Sequence, residues 1–160
     1  MQKAQKGFSL IEVLLVMGIF VLLAGLGFTS LLNVKDTSFS SSAVYTLVAD
    51  IKNQQIKAMT GDTEGRGTPD TYGVYIQSSQ YVLFHGQVYS ATDSSNFSVS
   101  APQGYTLSST FSGDKIIFAS GSGEIQNFTS GQDTIRLTNT VTNQQSTLQL
   151  NKYGVILRTK

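Results

Sequence analysis

The sequence has no cysteine and only one histidine, His85. Without cysteine the chain has no disulfide, no thiolate nucleophile, no iron–sulfur cluster and no cysteine-ligated zinc. One histidine leaves little scope for a histidine-based metal site or a histidine-dependent catalytic triad. Serine and threonine are abundant, but no general base accompanies them in a recognisable pattern. We therefore expect a protein that is not an enzyme and that needs no metal or cofactor.

Charge is also scarce, because Asp, Glu, Lys and Arg together make up 13% of the 160 residues. The 11 basic side chains nearly balance the 10 acidic ones, so the formal net charge is +1. A chain with this balance has no strong field to attract nucleic acid. Hydrophobic residues account for 40% of the sequence, which is enough for a folded core in a chain of one-domain length.

The apolar residues are concentrated near the N-terminus. From Phe8 to Leu32 the sequence spans 25 residues and carries one charge, that of Glu12. As a helix this segment would be about 37 Å long, enough to cross the hydrocarbon core of a bilayer. Lys3 and Lys6 precede it without a balancing acid, and this bias predicts a cytoplasmic N-terminus. The run is longer than the apolar core of a secretory signal, and no small-residue cleavage site follows it.

Glu12 is unusual because a carboxylate well inside a membrane span costs about 2.5–3.5 kcal/mol on insertion scales. One interpretation is that Glu12 lies near the cytoplasmic interface and extends its carboxylate to water. The other is that the charge has a function.

The string Lys6-Gly7-Phe8-Ser9-Leu10-Ile11-Glu12-Val13, leading directly into the apolar run, closely resembles the leader and mature N-terminus of type IV pilins and type II secretion pseudopilins. The resemblance implies cleavage between Gly7 and Phe8 by a prepilin peptidase, N-methylation of Phe8 and retention of Glu12. The new amino group would be cationic. This amino group could pair with Glu12 of the same subunit or of a neighbouring one, and either pair would offset the cost of desolvating the two charges. A pair between subunits would also set the register between packed helices, because a sliding helix would bury an unpaired charge.

Four regions follow from this pattern. We expect a cytoplasmic leader at 1–7, a transmembrane or filament-core helix at 8–32, an amphipathic continuation at 33–60 and a β-rich head at 61–160. In the third region one face of the helix is predicted from residues at helical spacing: Val44, Leu47, Val48, Ile51, Gln55 and Ala58. The polar residues between them are predicted elsewhere on the helix surface: Asp50, Lys52, Asn53 and Lys57. A helix break near Lys35 to Ser42 remains an open alternative. The stretch from Gly61 to Asp70 is rich in glycine and ends the helix.

Short segments with alternating apolar residues follow from Thr71 onward and predict antiparallel strands. The last three predicted strands, at 134–139, 146–150 and 155–159, are expected to form a meander with a tight last turn. The expected fold class is therefore α+β, type IV pilin-like, with a long N-terminal hydrophobic helix and an antiparallel β-sheet head. The order of helix and strands, with Ile116 to Gly121 and the closing Leu-x-Leu-x-x-x-Gly-x-Ile pattern, is similar to GspH/FimT-type minor pseudopilins.

The remaining candidate sites are weaker. Gly121-Ser122-Gly123 lies between strands and is read as a hairpin turn instead of a phosphate-binding loop. His85 is expected at the surface end of a strand. Loop carboxylates could gather around Ca²⁺, but their spacing is not that of an EF-hand; they are Asp62, Glu64 and Asp70. A basic C-terminal cluster is a low-priority candidate for nucleic-acid contact; it consists of Lys152, Arg158 and Lys160.

The sequence thus predicts a structural subunit, a minor pilin or pseudopilin of a type IV pilus or type II secretion filament. Its expected partners are prepilin peptidase, other pilin or pseudopilin subunits and the inner membrane. The expected location is single-pass in that membrane, with the head periplasmic or extracellular. The alternative is a filament-tip binding module that contacts DNA or a surface, as in DNA uptake. No small-molecule substrate is expected, and the sequence does not separate a secretion system from a pilus.

Overall fold

A computed structural model of the protein describes the backbone of residues 9–159 and the side chains of residues 9–25 and 42–157. Within these limits the chain forms one long helix followed by eight strands, and every strand pairing is antiparallel. The predicted α+β class with an antiparallel β region is confirmed. The chain divides into two compact units between Phe39 and Ser40.

Helix α1 runs from Leu10 to Thr60. In the first unit the large apolar side chains from Leu10 to Leu23 are exposed. In the second unit Val44, Leu47, Ile51 and Ala58 are buried and form one stripe of the helix surface. Among the described residues, no helix has a stretch both long enough and apolar enough to span a membrane.

The helix ends where the glycine-rich stretch predicts. Gly61 adopts a positive φ of 66°, and the amide of Asp62 donates to the carbonyl of Lys57 at 3.0 Å. A left-handed residue just beyond the last turn satisfies carbonyls that the helix leaves unpaired. The segment from Gly61 to Thr71 then leads into the first strand.

The first sheet has the strand order β3-β2-β1-β5. Its strands are β1 (Tyr72–Ile76), β2 (Gln80–His85), β3 (Phe97–Ser100) and β5 (Lys115–Phe118). Tyr72, Val74 and Ile76 alternate along β1 on the face that packs in the core, with Ile116 and Phe118 beside them on β5. Strand β3 lies at the edge of the sheet and is mostly exposed.

The second sheet has the order β4-β6-β7-β8. It consists of β4 (Tyr105–Ser109), β6 (Thr134–Asn139), β7 (Gln145–Leu150) and β8 (Ile156–Thr159). Strands β6, β7 and β8 form the meander that the sequence predicts near the C-terminus. The last predicted strand begins one residue too early, since Val155 precedes β8 and donates its amide to the Asn151 side chain at 2.9 Å.

One core joins the two sheets and the second half of the helix. Ile51, Val74, Phe118, Ile135 and Leu150 belong to a single buried cluster. The sequence predicts a β-rich head without indicating that its strands divide into two sheets. Residues Ser112–Asp114 form one 3₁₀ turn between β4 and β5.

Candidate functional site

Part of the N-terminal motif, from Ser9 to Glu12, lies within the described residues at the start of helix α1. The amide of Glu12 donates to the hydroxyl of Ser9 at 3.3 Å and to the Ser9 carbonyl at 3.1 Å. Ser9 therefore occupies the N-cap position, and Glu12 is the third helical residue. A serine followed three positions later by glutamate is the sequence of a capping box. A carboxylate in the first turn is also favoured by the positive end of the helix dipole.

Glu12 and its apolar neighbours are exposed among the side chains that the structure describes. The side chains of Leu10, Ile11 and Leu14 are all at least two-thirds exposed, and Glu12 is exposed too. Within residues 9–25 and 42–157, no hydrogen bond or ion pair reaches the Glu12 carboxylate. An exposed apolar surface of this kind is suited to burial in an apolar medium or against another helix.

Gly7 and Phe8, the residues predicted for cleavage and N-methylation, lie outside the described residues. The pairing of Glu12 with the amino group of Phe8 therefore stays a prediction.

The basic C-terminal cluster divides into described and undescribed members. Lys152 Nζ lies 3.0 Å from Glu124 Oε2 and 5.8 Å from the centre of the Tyr153 ring. The hydrogen bond with Glu124 raises the pKa of Lys152 above its usual value. Arg158 lies on β8 opposite Gln149, with its side chain outside the described set, and Lys160 is outside it altogether.

The loop carboxylates do not converge on a common point. Glu64 accepts a hydrogen bond from Lys57 at 2.7 Å, while Asp70 accepts from the amide of Thr71 at 2.7 Å. Asp62 accepts from the amide of Glu64 at 3.0 Å. Across the described part of the chain, no group of three His, Cys, Asp or Glu residues is placed to hold a metal ion.

His85 ends β2, as expected, but it is only partly exposed and it contacts Arg66 through Nδ1. Arg66 also reaches Asp93 at 3.5 Å, so these three residues connect the loop after the helix with the loop after β2. The Gly121-Ser122-Gly123 segment forms a turn, with the amide of Gly123 donating to Ala119 at 2.9 Å. The turn brings Ile125 beside Phe118 in an isolated antiparallel bridge, while β5 and β6 belong to different sheets, so the segment is a turn but does not join two strands of one sheet.

A polar cluster on the helix, with Gln55 buried at its centre, was not predicted from the sequence. Gln55 donates to the carbonyls of Gly123 at 2.9 Å and Tyr153 at 2.7 Å, and accepts from Lys52 Nζ at 3.0 Å. Lys52 also donates to the carbonyl of Gly154 at 2.6 Å, and burial lowers the pKa of its ammonium group. The pattern placed Lys52 on the open surface and Gln55 among apolar neighbours. Both side chains instead attach the helix to two loops.

Comparison with known proteins identifies the N-terminal segment. Residues 2–28 match the family model of the prokaryotic N-terminal methylation motif. No curated protein and no solved structure matches the chain. The chain therefore carries a type IV pilin-like prepilin signal, and Gly7, Phe8 and Glu12 lie within the matched segment.

Proposed function

We propose that the protein is a minor pilin or pseudopilin, a structural subunit of a type IV pilus or type II secretion filament. The observation that carries the proposal is the methylation-motif match over residues 2–28, a segment that contains Gly7, Phe8 and Glu12. The exposed apolar side chains from Leu10 to Leu23 support it, because exposed apolar surface of this extent marks an interaction region. The resemblance to GspH/FimT-type proteins belongs to the same proposal.

Each region of the chain has its own role in such a subunit. Residues 1–7 are the leader, 8–32 anchor the precursor in the inner membrane and later form the filament core, 33–60 continue the helix, and 61–160 form the head of a type IV pilin-like fold. Support for the anchor comes from the sequence, where Phe8 to Leu32 carries a single charge after two lysines. Prepilin peptidase and other pilin subunits are the partners.

Two measurements test the processing step. Intact-mass analysis of the membrane-extracted protein should give a chain that begins at Phe8 and carries one added methyl group. Gly7→Leu should leave the precursor uncut. Gly18→Leu, at a helical glycine where an added Cβ would meet no atom within 4 Å, should be processed normally. Recovery of the full-length wild-type chain from cells with an active prepilin peptidase contradicts the proposal.

Filament incorporation tests the role of Glu12. Glu12→Leu removes a carboxylate from an apolar environment and should insert and be cleaved normally. If Glu12 pairs with the amino group of Phe8 on a neighbouring subunit, the variant leaves a buried cation unpaired, which costs about 3–5 kcal/mol per contact when fully buried. We expect the variant in the membrane fraction and little of it in sheared filaments. Wild-type incorporation would show that Glu12 does not set the register.

The salt dependence of DNA binding distinguishes the alternative role, DNA contact through the head, from a purely structural one. Lys152 is already paired with Glu124, so we expect the wild-type chain to bind duplex DNA weakly, with a shallow salt dependence. A steep dependence that falls by about one unit of slope on Lys152→Ala or Arg158→Ala would favour the DNA-binding role. Gln149→Ala, opposite Arg158 on β7, is an uncharged control.

A further inference from the structure

A groove lies between the second half of helix α1 and the first sheet, with a volume of about 330 Å³. One wall consists of polar side chains from a single helix face, at spacings of three and four residues: Asp50, Asn53, Gln54 and Lys57. The floor includes Leu83 of β2 and Phe97 of β3, which pair directly across the two strands. We call this feature the helix–sheet groove.

The groove is open because the helix is hydrogen-bonded to β1 and β2, while the edge strand β3 stays mostly exposed. Gln54 is buried and donates to the carbonyl of Gly73 on β1 at 3.0 Å. Phe97, at the open edge of the sheet, is 63% exposed. An exposed aromatic ring thus lines the same groove as the amide and carboxylate groups of the helix.

The charges that line the groove are largely satisfied within the protein. Lys57 pairs with Glu64 at 2.7 Å, and Asp50 accepts a hydrogen bond from Tyr81 at 2.5 Å. An anion in the groove would meet Lys57, which is already paired with Glu64. A cation would meet the carboxylates of Asp50 and Glu64, and Lys57 already neutralises that of Glu64. The exposed Asn53 offers both a donor and an acceptor. This environment favours a neutral ligand with many hydroxyl groups.

We propose that the helix–sheet groove binds a neutral saccharide. The apolar face of one sugar ring packs on Phe97, while hydroxyl groups exchange hydrogen bonds with Asn53 and donate to the Asp50 carboxylate. Its volume is near the lower end of the range of about 300–1,000 Å³ for small-molecule sites, which suits one or two sugar rings. The assignment does not depend on filament assembly, so it can fail while the proposed function stands.

The test uses the full chain in detergent and saturation-transfer difference NMR with glucose, galactose, mannose and N-acetylglucosamine, each added separately. A responding sugar is then titrated against variants. Phe97→Leu keeps apolar volume but removes the ring, and Phe97→Tyr keeps the ring. Asn53→Ala removes the amide, and Gln144→Ala removes an exposed amide in the β6–β7 turn. Circular dichroism confirms that each variant is folded.

We expect at least one sugar to bind saturably, and Phe97→Leu and Asn53→Ala each to weaken it about fivefold to tenfold. Phe97→Tyr and Gln144→Ala should stay within about twofold of the wild type. Absence of saturable binding for all four sugars overturns the proposal. The proposal is also overturned if Phe97→Leu and Phe97→Tyr bind the sugar with equal affinity and Asn53→Ala does not change that affinity. Preferential binding of a neutral extended peptide in the groove would assign the site to a protein partner and overturn it as well.

Discussion

The amide of Glu12 donates a hydrogen bond to the hydroxyl of Ser9, with 3.3 Å between nitrogen and oxygen. This contact gives Glu12 a role within its own helix, in addition to the intersubunit pairing proposed for its carboxylate. Ser9 caps the helix, and the carboxylate lies where the helix dipole favours negative charge. The two roles make different demands on the side chain, so they can be separated by mutation.

Ser9→Ala should weaken the helix start by about 0.5–2 kcal/mol, the usual cost of losing an N-cap hydroxyl, and Ser9→Thr should restore most of it. Glu12→Gln should leave the hydrogen bond to Ser9 intact, because that bond uses the backbone amide, but it removes the charge. If intersubunit pairing dominates, Glu12→Gln lowers filament incorporation and Ser9→Ala lowers it little. Quantification of sheared filaments against the membrane fraction reads this out, and the reverse ranking would assign Glu12 mainly to capping.

Gln55→Ala should destabilise the second unit. Gln55 is 8% exposed, and its amide nitrogen donates to both Gly123 and Tyr153. Removing it leaves buried carbonyls without their donor, at a cost of about 1–3 kcal/mol. Asn53→Ala, two residues earlier and exposed, is the matched control and should change the midpoint of thermal unfolding little. Equal midpoints for the two variants would show that Gln55 does not hold the loops.

Gly123→Ala should be more destabilising than Gly121→Ala. Both glycines have positive φ, 66° and 80°, so an alanine at either position adopts a left-handed backbone costing about 1–2 kcal/mol. At Gly123 a Cβ would also clash with Met59 Cγ, whereas at Gly121 it would meet nothing within 4 Å. Chemical denaturation compares the two, and Met59→Ala should partly rescue Gly123→Ala. Equal losses at both positions would refute the close contact.

Tyr72 should make the fold sensitive to alkaline pH. Burial, followed by the nearby Glu64 and Asp62 charges, raises the pKa of Tyr72 from 10.0 to about 12. The unfolded chain therefore loses this proton at lower pH than the folded chain does. Between about pH 10 and pH 12 the folded state holds more protons, so its stability falls as pH rises through that window. Below pH 10 both states are protonated and the group has no pH-dependent effect.

Unfolding midpoints measured across that window check this prediction. Tyr72→Phe should flatten the alkaline decline, although it also removes the hydrogen bond from Tyr72 to the Asp62 carbonyl at 2.8 Å. Tyr45→Phe, at a tyrosine that is 72% exposed, controls for the loss of a phenol. An alkaline decline that is unchanged in Tyr72→Phe would show that other groups control it.

Several features could be predicted because they depend on local pattern. The apolar stripe of Val44, Leu47 and Ile51 predicts a helix, since only helical spacing brings these residues to one face. Gly61 marks its end because glycine readily adopts positive φ. Alternation in Tyr72, Val74 and Ile76 predicts a strand with one buried face. The processing signal could also be predicted, because it requires particular residues at fixed positions close together in the sequence.

Other features were not readable because they depend on contacts between distant positions. Gln55 lies 68 residues from Gly123 and 98 from Tyr153, and its neighbours in sequence do not indicate which carbonyls it meets. The sequence predicts a surface position for both Lys52 and Lys152. One is partly buried against Gly154, and the other pairs with Glu124.

The sequence alone determined the N-terminal methylation motif, the helix with its end at the glycines, and the antiparallel character of the strands, because each follows from residues close together in the chain. Tertiary structure decided how the strands divide into two sheets, which polar side chains are buried, and where Asp50, Asn53 and Phe97 meet to form the helix–sheet groove. These outcomes depend on which surfaces pack together to bury apolar area while keeping backbone polar groups hydrogen-bonded. That choice is made by the whole fold and not by any one segment.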